Sequence, residues 1–127
     1  NIANSDFSDR NASPPKINNL VYEFDGWLGD DIIESIATFL ITENLMNAIV
    51  QSKMTGITFE KVEVLISEQF GELYDSKSLP KFVWAQIIGD YRKNDFSMSP
   101  KHRLIVSERA LNVLGKFNIK NCDVEDQ

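Results

Sequence analysis

Residues 40–49 (LITENLMNAI) and 105–114 (IVSERALNVL) align without a gap, 65 positions apart. In each copy an apolar run stops at a hydroxyl residue, Thr42 or Ser107; a glutamate follows, and apolar residues then recur at helical spacing. A Ser or Thr placed there accepts a hydrogen bond from an N–H of the first helical turn that would otherwise be orphaned. Each copy then passes a Gly- or Asn-containing turn into an extended acidic segment, 59–66 in the first and 122–125 in the second. The pattern is strand, capped helix, strand, written twice. Units of this length usually make right-handed crossovers between parallel strands, which places both helices on one face of a sheet.

The other strands are read from alternation. Leu20, Tyr22 and Phe24 share one face of a first strand. Residues 37–41 form a short run, apolar except for Thr38, that suits a strand buried on both faces. Val62, Val64 and Ile66 continue 59–66 as one long strand, and 82–88 alternates with Phe82, Trp84 and Ile88 on one face and Val83, Ala85 and Ile87 on the other. The helix after Thr42 directs Leu45, Met46, Ile49 and Val50 inward; the helix after Ser107 directs Ala110, Leu111, Leu114 and Phe117 inward. Asp30 and Asp31 mark the start of a short helix, and Ser67 caps another that carries Phe70, Leu73 and Tyr74. Residues 89–102, with Gly89, Asp90, Asn94, Asp95 and Pro100, read as an exposed loop, and 122–124 as an edge strand. The expected fold is a single α+β domain over 20–127: a mixed sheet of about six strands and two main helices in two strand–helix–strand units. Residues 1–19, rich in Asn, Ser, Asp and Pro, are expected to be a disordered arm or linker. The stretch begins at Asn1 without a methionine, so an artificial boundary, a processing site or a cut from a longer chain is expected there.

Several function classes are disfavoured by composition. Cys122 and His102 are the only residues of their kinds, so a His/Cys zinc site cannot be built and no intrachain disulfide can form. Asp25, Asp30, Asp31 and Glu34 are the densest early acids, but adjacent aspartates lack the alternation of a calcium loop and no metal site is expected. Gly26 and Gly29 match neither a dinucleotide nor a phosphate-loop motif, so no cofactor is expected. The net charge of −6 opposes nucleic-acid binding, no apolar run is long enough for a membrane span, and the cytoplasm is the expected location. The charge also suits attraction of a basic protein partner. A catalytic reading has one anchor: His102 as a general base, with Ser97, Ser99 or Ser107 brought near by folding. No catalytic set is expected, and a solvated loop histidine accounts for the same residues. A third reading is a regulatory or interaction domain of a longer protein.

The stretches 25–31 (DGWLGDD), 79–84 (LPKFVW), Asp95-Phe96 and 103–111 (RLIVSERAL) resemble the immunity proteins of bacterial polymorphic-toxin systems, in particular the myxobacterial-type immunity domain, over about residues 20–126. That resemblance implies a non-catalytic protein of contact-dependent competition that binds a cognate toxin and neutralises it; a nuclease-like toxin would offer a basic surface. It carries over no binding motif. Contact residues are therefore chosen by chemistry, as acids and aromatics in turns and loops: Asp25, Trp27, Asp30, Asp31, Glu34, Tyr91, Asp95 and Phe96.

Overall fold

The computed structural model describes residues 6–9, 16–24, 27, 29–35, 38–68, 79–120 and 122–126. Their centre is β4 (Thr38–Thr42), buried at every position, with β3 (Ile32–Ser35) antiparallel on one side and β7 (Phe82–Ile87) antiparallel on the other. The side chains explain the position. Phe39 and Ile41 enter one apolar cluster while Leu40 enters a second, so β4 has no face left for water. β7 divides in the same way, Phe82 and Trp84 to one cluster and Val83, Ala85 and Ile87 to the other. β5 (Ile57–Glu60) pairs with the free side of β7 and completes the order β3-β4-β7-β5.

Layers lie on both faces of that sheet. On one, β2 (Lys16–Phe24) runs parallel to β6 (Val62–Ile66), and Leu20 and Phe24 join Leu40, Phe82 and Trp84. On the other, Leu45 and Ile49 of α1 (Glu43–Gln51) and Ala110 and Leu114 of α2 (Glu108–Leu114) share one cluster with Phe96, Leu104 and Val106. Those last three come from a small sheet in which β9 (Leu104–Val106) pairs antiparallel with β8 (Phe96–Met98) and parallel with β10 (Val124–Asp126). The α+β class and the placement of both helices on one side of the main sheet agree with expectation. The helix caps do too: Thr42 Oγ1 accepts from the Leu45 N–H at 3.3 Å and Ser107 Oγ from the Ala110 N–H at 3.1 Å.

Four details differ. The described strands number ten and form three sheets, where one sheet of about six was expected. Residues 32–35 are a strand and not the start of a helix, because Ile32 buries opposite Ile41 and the pairing with β4 overrides the acidic N-terminal signal. Residues 59–66 break at Lys61 into β5 and β6, which serve different sheets and different clusters. Within the expected arm, β1 (Asp6–Asp9) pairs antiparallel with β2, whose first residues, 16–19, also lie in that stretch. A polar segment that cannot build a core can still satisfy the open backbone of a sheet edge. The residues expected to carry the helix after Ser67, Phe70, Leu73 and Tyr74, lie outside the described residues. No helix among the described residues is long and apolar enough to cross a membrane.

Candidate interaction surface

Two of the acids expected to face a partner, Asp31 and Asp95, are used by the fold itself. Asp31 precedes β3 and Asp95 precedes β8, and each is tied to the helix cap of its own unit. Asp31 Oδ1 accepts from the Thr42 hydroxyl at 2.9 Å, and Asp95 Oδ1 accepts from the Ser107 hydroxyl at 2.6 Å. The backbone repeats the tie, with Thr42 N–H donating to Asp31 O and Ser107 N–H to Asp95 O, both at 2.9 Å. Each carboxylate also reaches into the other unit, just past its helix. Asp31 Oδ2 accepts from the Asn118 N–H at 2.9 Å, and Asp95 Oδ2 from the Thr55 N–H at 3.0 Å. The two units therefore clamp one another reciprocally through equivalent aspartates.

Arg109 elaborates the second clamp. Its guanidinium meets Asp95 Oδ2 at 2.7 Å and donates to the Ser52 and Lys53 carbonyls at 3.1 and 3.2 Å, at the negative end of α1. Chiefly through the Arg109 hydrogen bond, against the opposing effect of burial, the Asp95 carboxyl is held well below the usual carboxylate range.

The remaining expected contacts divide sharply. Asp25 lies outside the described residues. Trp27 is half-buried, edge-on to Phe82 with centroids 6.4 Å apart, and its indole N–H donates to the Asp30 carbonyl at 3.0 Å. Asp30 is 8% exposed and Phe96 is 1% exposed. Glu34 is half-buried on β3 beside Cys122, whose thiol is pushed up to about 12 by burial first and by Glu34 and Asp123 next. Tyr91 alone of the set presents a large exposed side chain, at 50%.

Tyr91 is held out by a built turn. Asp90 O accepts from the Lys93 and Asn94 N–H groups at 3.0 and 3.1 Å, and Asn94 Oδ1 accepts from the Asp90 N–H at 2.8 Å. Gly89 enters this turn against β8; a Cβ there would lie 2.1 Å from the Phe96 carbonyl oxygen, so only glycine fits. On the far side, Ser99 N–H donates to Arg103 O and His102 N–H to Ser99 O, each at 2.9 Å, closing the β8–β9 hairpin. Between these turns opens a cleft of about 480 Å³ lined by Tyr91, Met98, Ser99, Pro100, Ile105 and Glu125. Its walls are mainly apolar, and cations rim it. The Arg92 guanidinium sits 5.1 Å from the Tyr91 ring centroid, Lys101 is exposed beside Pro100, and Arg103 pairs with Glu125 at 3.4 Å.

Residues 89–102 are thus not uniformly an exposed loop: Asp95, Phe96 and Ser97 are buried, and 96–98 is β8. Sequence reasoning missed Met98, Pro100 and Ile105 as lining residues and the cations around them. The available signal was Arg92, Lys93, Lys101 and Arg103 within twelve positions of an acidic chain.

His102 occupies the left-handed position of the hairpin turn, with φ 61°. Of the serines weighed with it, Ser107 caps α2, and Ser99 Oγ accepts from the Lys101 and Arg103 N–H groups at 3.2 and 3.1 Å. Ser97 Oγ is buried on β8 without a hydrogen-bond partner among the described residues. Those residues contain no group of three or more His, Cys, Asp or Glu side chains placed to hold a metal ion. Compared with family models, curated proteins and solved structures, the chain matches none.

Proposed function

We propose that this chain is a non-catalytic binding protein of the immunity type, acting in the cytoplasm to neutralise a cognate bacterial toxin by covering it. One observation carries the reading: a preformed cleft with apolar walls and a charged rim, flanked by an exposed tyrosine and held by two hydrogen-bonded turns. Interface centres combine aromatic and apolar anchors with a polar rim, and tyrosine and arginine are enriched among the residues that carry binding energy. The resemblance of 25–31, 79–84 and 103–111 to immunity domains directs the reading toward a toxin partner, and no matched relative contributes to it. Asp31 and Asp95 are committed to the clamps and Asp30 is buried, which moves the binding residues to Tyr91, Arg92, Met98, Lys101 and Ile105.

The test is affinity capture of the product of a toxin gene neighbouring the one for this chain, together with survival of cells expressing both. A stoichiometric complex and rescued growth are expected. Lack of capture at micromolar protein, or growth arrest despite capture, overturns the reading.

A further inference from the structure

The charge around the cleft has the opposite sign to that of the chain. Arg92, Lys93, Lys101 and Arg103 are all exposed and lie in or beside the two turns, whereas the exposed acids in or beside those turns and the cleft wall are Asp90, Asp123 and Glu125. Four cations against three acids leave a local charge of +1 on a molecule of net charge −6. Glu125, the acid on the cleft wall, already has its cation in Arg103. Asp95, between the turns in sequence, is buried and bound to Arg109. The charge around this concave, apolar cleft therefore disfavours a basic partner there.

We infer that the cleft receives an acidic peptide segment of the protein partner, one apolar side chain of the segment seated against Met98, Pro100 and Ile105 and its carboxylates meeting Arg92 and Lys101. This deepens the binding-protein reading and rests on it. The volume falls within the range of about 300–1,000 Å³ typical of pockets that enclose small organic groups. Arginine on a tyrosine face presents its planar fork to a carboxylate while its own position is fixed by the ring. Arg92 and His102 both hold positive φ, at 63° and 61°, so each turn keeps a non-glycine residue in the left-handed conformation that L side chains rarely adopt. Those two bends place Arg92 and Lys101 next in sequence to Tyr91 and Pro100, which line the cleft. A nucleic acid is the less fitting anion: Tyr91 is the single aromatic ring in the lining, where successive bases would need a platform of several, and the chain as a whole repels phosphate.

The experiment is a titration of the full chain, isotope-labelled and followed by amide chemical shifts, with three probes: a blocked peptide of glutamates around a single leucine, its lysine counterpart, and an oligothymidylate. Shifts centred on Tyr91, Met98, Ile105 and Glu125 are expected with the glutamate peptide, weakening as salt rises. The Arg92→Glu, Lys101→Glu double variant, altered only at exposed positions, should bind it about tenfold or more weakly with an unchanged unbound spectrum elsewhere. Equal or larger shifts with the lysine peptide or the oligothymidylate overturn the inference. So do shifts that appear with protein concentration alone, which would seat a second copy of the chain in the cleft. Toxin captured equally by wild type and double variant sinks this inference while sparing the functional reading. Peptide binding without toxin capture does the reverse.

Discussion

Asp95 shows how much one side chain can misdirect a reading from local pattern. It stands in a stretch with Gly, Asn and Pro on either side, and loop acids are ordinarily solvated. Its partners come from 12, 14 and 40 positions away, at Ser107, Arg109 and Thr55, and no local window contains them. Asp95→Asn exchanges a charged acceptor of several hydrogen bonds for a half-donor amide and should cost about 2 kcal/mol at neutral pH. The folded state depresses the Asp95 pKa, so its contribution is complete above the unfolded value near 4 and is lost as pH falls through the folded value. Urea unfolding of wild type and Asp95→Asn should therefore differ clearly at pH 7 and converge in strong acid; a gap independent of pH would refute the role of the charge. Lys53 makes the opposite case. Its N–H donates to Val50 O and that of Met54 to Ile49 O, a helix-ending motif that places Lys53 at φ 53° where glycine is the usual occupant. Lys53→Gly should raise stability by up to about 1 kcal/mol, seen as a higher melting temperature.

At the scale of elements, the capped helices were legible because a cap and an apolar stripe are local facts. The edges of the stripe were not. Val50 fits the helical spacing with Leu45, Met46 and Ile49, yet it is 57% exposed because α1 meets the core along the line of Leu45 and Ile49. Ile49→Ala should cost about 3 kcal/mol by leaving a cavity, and Val50→Ser no more than about 0.5 kcal/mol, in paired denaturation curves. Comparable losses would show that α1 packs in another rotation. Strands were less legible than helices. β3 carries an acidic pair at its start that imitates a helix N-terminus, and its pairing with β4 is a tertiary fact. β8 is three residues long inside a polar stretch, too short for alternation to register. β5 and β6 alternate almost continuously, and only their different partners separate them.

For the whole molecule, the repeated pattern proved to be architectural. β3-β4-α1-β5 and β8-β9-α2-β10 follow the same order, each with an antiparallel hairpin, a capped helix and a third strand parallel to the strand before the helix. In the first unit β7 is inserted between those parallel strands; in the second they are neighbours. The reciprocal aspartate clamps then join the units. The sequence carried that plan in its two hydroxyl caps, whereas the cleft is assembled from a turn, a hairpin and the last strand and has no contiguous signature. The account depends on that cleft being where a partner docks. Its most direct test is calorimetry of the captured toxin with wild type and with Tyr91→Ala, whose exposed ring supports no core packing. Loss of an anchor at an interface centre costs about 2 kcal/mol or more, so the dissociation constant should rise about thirtyfold or more while the melting temperature holds. An unchanged dissociation constant would place the interface elsewhere and contradict the account.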